Sequence, residues 1–174
     1  MRKDKLFPLL LALLLAACSN SSTANKNSQT ASSQPALDAK DAEGNPPVLR
    51  AVNSNDTTEL RRLVEAGADV NAASNSGVTP LMNAAGMGNR EAVELLIQKG
   101  ADVNHRTSGN YTPLMQAALT GQIEIVKILL DAGADPSVKD TGGRTASAYA
   151  EEHNHKDIVQ LIEQKMGPKS AGKK

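Results

Sequence analysis

The chain has 174 residues, 19 basic against 19 acidic side chains, three histidines, and aromatic residues at only 2%. No basic stripe stands out, which excludes the electrostatic footprint of a nucleic-acid binder. So few aromatic rings would be odd for a compact enzyme but suit a helical stack with a core of Leu, Ile, Val and Ala.

Met1 to Ala17 opens with Arg2, Lys3 and Lys5, continues as an apolar run from Leu6 broken by Pro8, and ends at Cys18. This pattern predicts a secretion signal. The apolar run is about half of the roughly 20 residues that cross a bilayer as a helix, so an uncleaved membrane anchor is the weaker reading. Leu15, Ala16, Ala17 and Cys18 resemble the lipobox of bacterial lipoproteins. That resemblance implies cleavage before Cys18, diacylglycerol on its thiol and usually a further acyl chain on the new amino terminus; the alternative is an ordinary signal peptide followed by an incidental cysteine. More than one acyl chain, at about 0.8 kcal/mol per buried methylene, gives stable anchoring. Ser19 stands where an aspartate would resemble an inner-membrane retention signal. The implied destination is therefore the outer membrane of a two-membraned cell, or the outer face of the plasma membrane in a cell with one. Loss of the signal leaves 16 basic against 18 acidic residues, a net charge of about −2.

Residues 18–45 are rich in Ser, Asn, Thr, Gln and Ala. With almost no large apolar side chain to offset the entropy of ordering, the stretch reads as a disordered tether with a span of roughly 30 Å. Pro46 to Ser76 follows as an amino-terminal capping unit. Val48, Leu49, Ala51 and Val52 form a short first helix, Leu60, Leu63 and Val64 a second, with Asn53, Asn55 and Asp56 in the turn between them. Arg50, Asn53, Arg61 and Arg62 supply the polar surface that a terminal unit needs.

Val78 to Asn110 then returns almost position for position as Tyr111 to Gly143, a period of 33 residues. Thr79, Pro80, Leu81 and Met82 recur as Thr112, Pro113, Leu114 and Met115, and Gly67, Ala68 and Asp69 recur at Gly100 and at Gly133. A fixed period of this length means stacked repeats. Within the unit, Thr79 caps a helix and Pro80 fits its first position. Leu81, Ala84 and Ala85 share one face, and Gly88 with Asn89 ends the helix. The second helix, from about Arg90 to Lys99, carries Val93, Leu96 and Ile97 inward, leaves Glu91, Glu94, Gln98 and Lys99 to solvent, and stops at Gly100. Asp102 and Asn104 suit the turn that follows.

The openings TPLM and the close GADVN are similar to the TPLH opening and GADVN close of the ankyrin repeat. The resemblance covers residues 46–167 and implies an all-α solenoid of about four stacked helix-turn-helix units, at 46–77, 78–110, 111–143 and 144–167. In the last unit Thr145 keeps the helix start while Ala146 and Ser147 replace Pro and Leu, and Ile158, Val159 and Ile162 keep the second helix's packing face. Residues 168–174 form a basic tail. Met82 and Met115 occupy the place of the family's histidine, so its link between loops is missing and apolar packing substitutes.

Catalytic, cofactor and metal sites are not expected. His105, His153 and His155 read as turn or surface histidines, the last two pointing different ways on a continuing helix, and Asp69, Asp102 and Asp135 recur because every unit needs the same turn. What the resemblance implies is binding of a protein through the concave face. Comparing units in phase selects Asn75, Ser76, Val78, Met87 and Arg106 in the second, Ser108, Tyr111, Leu119, Thr120 and Lys139 in the third, and Thr141 and Arg144 beyond. Tyr111, Arg106 and Arg144 are the residue types that dominate interfaces, while Met87 and Leu119 would be apolar without serving the core. The reading is a non-enzymatic module, monomeric outside its complex, anchored in a bacterial envelope through Cys18 and holding an envelope or secreted protein. Neutralising a toxin and protecting an envelope enzyme both fit; a hydrolase or small-ligand protein on the same scaffold, and a plain spacer, are the rival readings.

Overall fold

The computed structural model describes residues 37–167. The secretion signal, Cys18, most of the tether and the tail from 168 lie outside them. The described residues hold four helix pairs and no strand. The pairs are α1 (Pro47–Asn53) with α2 (Thr57–Glu65), α3 (Pro80–Met87) with α4 (Arg90–Gln98), α5 (Pro113–Leu119) with α6 (Ile123–Asp131), and α7 (Ala146–Glu152) with α8 (Lys156–Met166).

The first helices of the last three units begin as the sequence implies, while α1 follows Pro46 without a side-chain cap. The hydroxyls of Thr79, Thr112 and Thr145 accept the amides of Met82, Met115 and Ala148 at 3.4, 3.2 and 3.3 Å. A proline at the next position of α3 and α5 has no amide to leave unsatisfied. The turn into the second helix takes a left-handed residue at the same place in all four units: Asn55, Gly88, Gly121 and Asn154, with φ of 54°, 70°, 76° and 66°. Glycine adopts that conformation freely and asparagine at small cost, which is why Asn154 can stand where a glycine is expected.

First helices pack closer to one another than second helices do. Ala84, Ala85, Ala117, Ala118 and Ala150, all 0% exposed, put only a methyl between the backbones. The stack therefore closes up on the first-helix side, called here the inner face. Met82 and Met115 are buried and fill the place of the expected histidine by packing, as anticipated. A link between turns is made from another position: His105 Nε2 lies 3.0 Å from the Gly77 carbonyl.

One packing expectation is incomplete and one needs correction. Ile97 packs half-buried against the core, as expected, but Ala92 and Leu95 of the same helix are buried as well. The second helix meets its own first helix and both neighbouring second helices, so it buries more than one stripe. Leu119 does serve the core, packing half-buried against it.

The fold also begins ahead of Pro46, inside the stretch assigned to the tether. Leu37 packs on the core, Gly44 is buried, and Asp38 Oδ1 accepts the Asp69 amide at 3.1 Å. Asp41 to Asn45 is the first of four equivalent tight turns, or fingers, that precede the helix pairs. In these the amides of Asp41, Ser74, Thr107 and Asp140 donate to the carbonyls of Asn45, Val78, Tyr111 and Arg144 at 3.0, 2.9, 3.1 and 2.9 Å. The side-chain oxygens of the same four residues accept the return amides at 2.8, 3.2, 3.1 and 2.8 Å.

Both ends of the stack are polar for a readable reason. Glu59 and Arg62 stand where Ala92 and Leu95 stand one unit later, and they form a two-pronged ion pair with both contacts at 2.7 Å. Being exposed, the pair contributes little to stability and serves to keep that end wet. At the other end Ser147, Glu151 and Glu163 replace Leu114, Ala118 and Leu130.

Candidate interaction surface

The fingers stand side by side along one edge of the inner face. The Thr141 amide donates to the Gly109 carbonyl at 3.0 Å, joining the third and fourth fingers. Asn75 lies over Gly44, where any side chain would collide with it, joining the first and second. Of the residues singled out from sequence, Asn75, Ser76, Ser108 and Thr141 are exposed on these finger turns. Ser76 is tied by its hydroxyl to Ser74 at 2.8 Å. Val78, Tyr111 and Arg144 form the finger bases, and Arg106 and Lys139 are exposed just ahead of the third and fourth fingers.

Met87 and Thr120 occupy equivalent places at the far ends of α3 and α5. Met87 is 46% exposed and is one of the few large apolar side chains that face solvent. The Thr120 hydroxyl donates to the Gln116 carbonyl at 3.0 Å and so closes α5. Beside Met87, Gly86 has no side chain, and the Gln116 carboxamide lies across it. Asn83 donates to Asn53 Oδ1 at 2.7 Å. Between Arg50 and Glu152 the inner face is thus uncharged: Asn53, Asn83, Gly86, Met87, Gln116, Leu119 and Thr120. Sequence comparison missed Asn83 and Gln116, although their 33-residue spacing on the exposed side of the first helix was a usable signal.

Two of the expected anchors are engaged within the protein. Arg144 reaches Asp140 Oδ2 through Nε at 3.1 Å and a terminal nitrogen at 3.0 Å, lies 4.4 Å above the Tyr149 ring, and meets Glu152 at 3.6 Å. Tyr111 packs edge-on against Tyr149, with ring centroids 5.3 Å apart at 88°. Its hydroxyl is buried with no hydrogen-bond partner, and burial pushes its pKa up to about 12. The buried Asp140 organises the cluster, accepting the Tyr149 hydroxyl at 2.6 Å and the Gly142 and Arg144 amides at 2.9 and 2.8 Å. The Tyr149 hydrogen bond first, then the Arg144 amide, hold its carboxyl at about 2. This is a satisfied structural carboxylate closing the last finger.

The three histidines lie in turns outside the helices. No helix continues from His153 to His155, because α7 ends at Glu152 and α8 begins at Lys156, leaving both in the turn between; the rings stack at 6.3 Å and 17° instead of pointing apart. His153 Nδ1 is 3.0 Å from the Tyr149 carbonyl. Among the described residues no group of three or more His, Cys, Asp or Glu could hold a metal ion, and no helix is long and apolar enough to cross a membrane.

A solenoid of helix pairs with a row of fingers along one edge defines a repeat scaffold built for surface contact. Two family models, described as ankyrin repeats (3 copies) and ankyrin repeats (many copies), match residues 10–107 and residues 96–150. The chain belongs to the ankyrin repeat family and is a protein–protein interaction module of a kind that is generally non-enzymatic. No curated protein matches it.

Proposed function

We propose that the protein is a lipid-anchored module of a bacterial cell envelope that holds a protein partner on the inner face of the stack. The supporting observation is Met87, 46% exposed beside Gly86 and the Gln116 carboxamide on an otherwise uncharged strip. An apolar side chain kept in water among amide groups gains by being covered, and the surrounding polar groups set which surface covers it. Cys18 is the anchor, and Ser19 directs the module to the outer membrane, facing the periplasm, where the host has one. There it neutralises a toxin or enzyme, or docks and protects an envelope enzyme; a toxin gene next to its own favours the first.

The test is capture from envelope extracts by the full-length protein, beside a Met87→Glu, Thr120→Arg double variant checked for unchanged thermal unfolding. A partner held by the parent and released by the variant supports the face; the same partners with both forms sink it. Membrane fractionation and acyl labelling of Cys18→Ser address the anchor separately. Retention of that variant in the membrane fraction would refute the lipid attachment.

A further inference from the structure

Lys40, Arg106 and Lys139 occupy the same place immediately ahead of the first, third and fourth fingers, and Ala73 takes that place ahead of the second. All three cations are exposed. None takes part in an ion pair among the described residues. Lys40 makes only a long contact, 3.4 Å, to Asn75. Arg106 acts on Asp135 from a distance, as a minor influence on a carboxylate bound first by Ser137. The acids of the fingers are mostly spent on their own turns: Asp41 accepts the Glu43 and Asn45 amides, and Asp140 is enclosed as described. Glu43 is the exception.

This edge contrasts with the body that carries it. Residues 37–167 contain 12 basic against 18 acidic side chains. A row of unpaired cations on a net acidic domain is an electrostatic template for an anionic partner.

We propose that the finger edge docks an extended, acidic segment of a protein partner, whose carboxylates meet Lys139, Arg106 and Lys40 in register with the repeats. The proposal rests on the inner-face reading and adds the chemistry of the partner. Packed helices lie about 8–10 Å apart, so successive units advance by about that distance. An extended chain rises about 3.3 Å per residue. Carboxylates three residues apart therefore fit Lys139 and Arg106, and one six residues further fits Lys40, with an uncharged stretch opposite Ala73. An anionic lipid surface is a poorer match. The finger turns present Asn75, Ser76, Ser108 and Thr141 with no aromatic or large apolar group to insert, and headgroup charge repels the acidic body.

The probe is a ten-residue Ser/Thr/Gly peptide with glutamates at its first, fourth and tenth positions, and a second with them at the first, seventh and tenth to cover the opposite direction. A control peptide has its three glutamates adjacent. Binding to the full-length protein in detergent is read by fluorescence anisotropy at low and high salt. One spaced peptide is expected to bind about fivefold or more tighter than the control, and Lys40→Gln, Arg106→Gln, Lys139→Gln together to weaken it about tenfold or more with unchanged thermal unfolding. Equal binding of spaced and adjacent peptides, indifference to the triple change, no binding at low salt, or preference for phosphatidylglycerol vesicles over the peptides would overturn the proposal. Met87→Glu separates the two ideas: peptide binding lost there but kept in the triple variant removes the cationic edge and leaves the inner face standing.

Discussion

Asn104 clasps the second unit to the third, and its removal should cost a calculable amount. Its Oδ1 accepts the Asp135 amide at 2.8 Å and its Nδ2 donates to the Gly133 carbonyl at 3.0 Å. Asn71 does the same one unit earlier, at 2.8 Å to Asp102 and 3.2 Å to Gly100. At about 1 kcal/mol per hydrogen bond, less some compensation by water at a half-exposed site, Asn104→Ala should destabilise the domain by about 1.5 kcal/mol. With unfolding entropy of about 2.1 cal/mol/K per residue over about 130 residues, the midpoint should fall by about 5–6 °C. Asp38 shows what half the clasp looks like, since a carboxylate can accept the Asp69 amide but cannot donate. Asn104→Asp should accordingly cost about 0.7 kcal/mol, half as much. Urea unfolding followed by circular dichroism measures both. A loss below about 0.5 kcal/mol for the alanine variant would mean that water replaces the clasp and that it sets register without adding stability.

Leu96, 0% exposed in the middle of the stack, should cost about 3–4 kcal/mol when changed to Ala, measured by the same denaturation; a loss under about 2 would mean the cavity collapses. Asp140→Asn should lower stability at neutral pH, because the parent carboxylate is favoured in the folded state. Its carboxyl lies at about 2 against an ordinary 3.8, so the stability it contributes is complete above about pH 4 and disappears as pH falls through about 2. The gap between parent and variant should close over that window in pH-dependent melts, and a constant gap would refute the assignment. Tyr111→Phe removes a buried hydroxyl with no partner and should stabilise the protein by about 1 kcal/mol; destabilisation in thermal unfolding would show that the hydroxyl is satisfied.

The stack was legible because its parts recur: threonine caps, prolines, paired alanines and closing glycines at fixed spacing leave one architecture. The first finger escaped because Pro46 replaces the threonine of the later openings, although Pro47 keeps their proline, and Asp41 to Asn45 sits at the end of a polar stretch. The 33-residue intervals from Asp38 to Asn71, from Asp41 to Ser74 and from Gly44 to Gly77 were its traces. The inner face was half legible. Exposure of Met87 and the finger positions follows from phase within the repeat, but phase says nothing about what neighbouring side chains do to one another. Arg144 and Tyr111 occupy equivalent places 33 residues apart, and both are drawn onto Tyr149, whose ring no spacing rule points to.

In a repeat protein a departure from the period is more informative than agreement with it, and where the departure falls decides its meaning. Glu59 with Arg62 and Ser147 with Glu151 break the pattern at surfaces where a neighbouring unit would stack, and each exchanges an apolar or small residue for a polar one. Those changes end the solenoid. Met87 breaks it on the inner face, opposite Thr120 one unit on, where both side chains are exposed and no packing demand explains the exchange. Ala73 breaks the cationic row while its neighbours Lys40, Arg106 and Lys139 keep it, so the row is not imposed by the fold, which tolerates a methyl there. Positions that stacking neither requires nor forbids are those on which a partner can act, and the inner strip and finger edge consist of them.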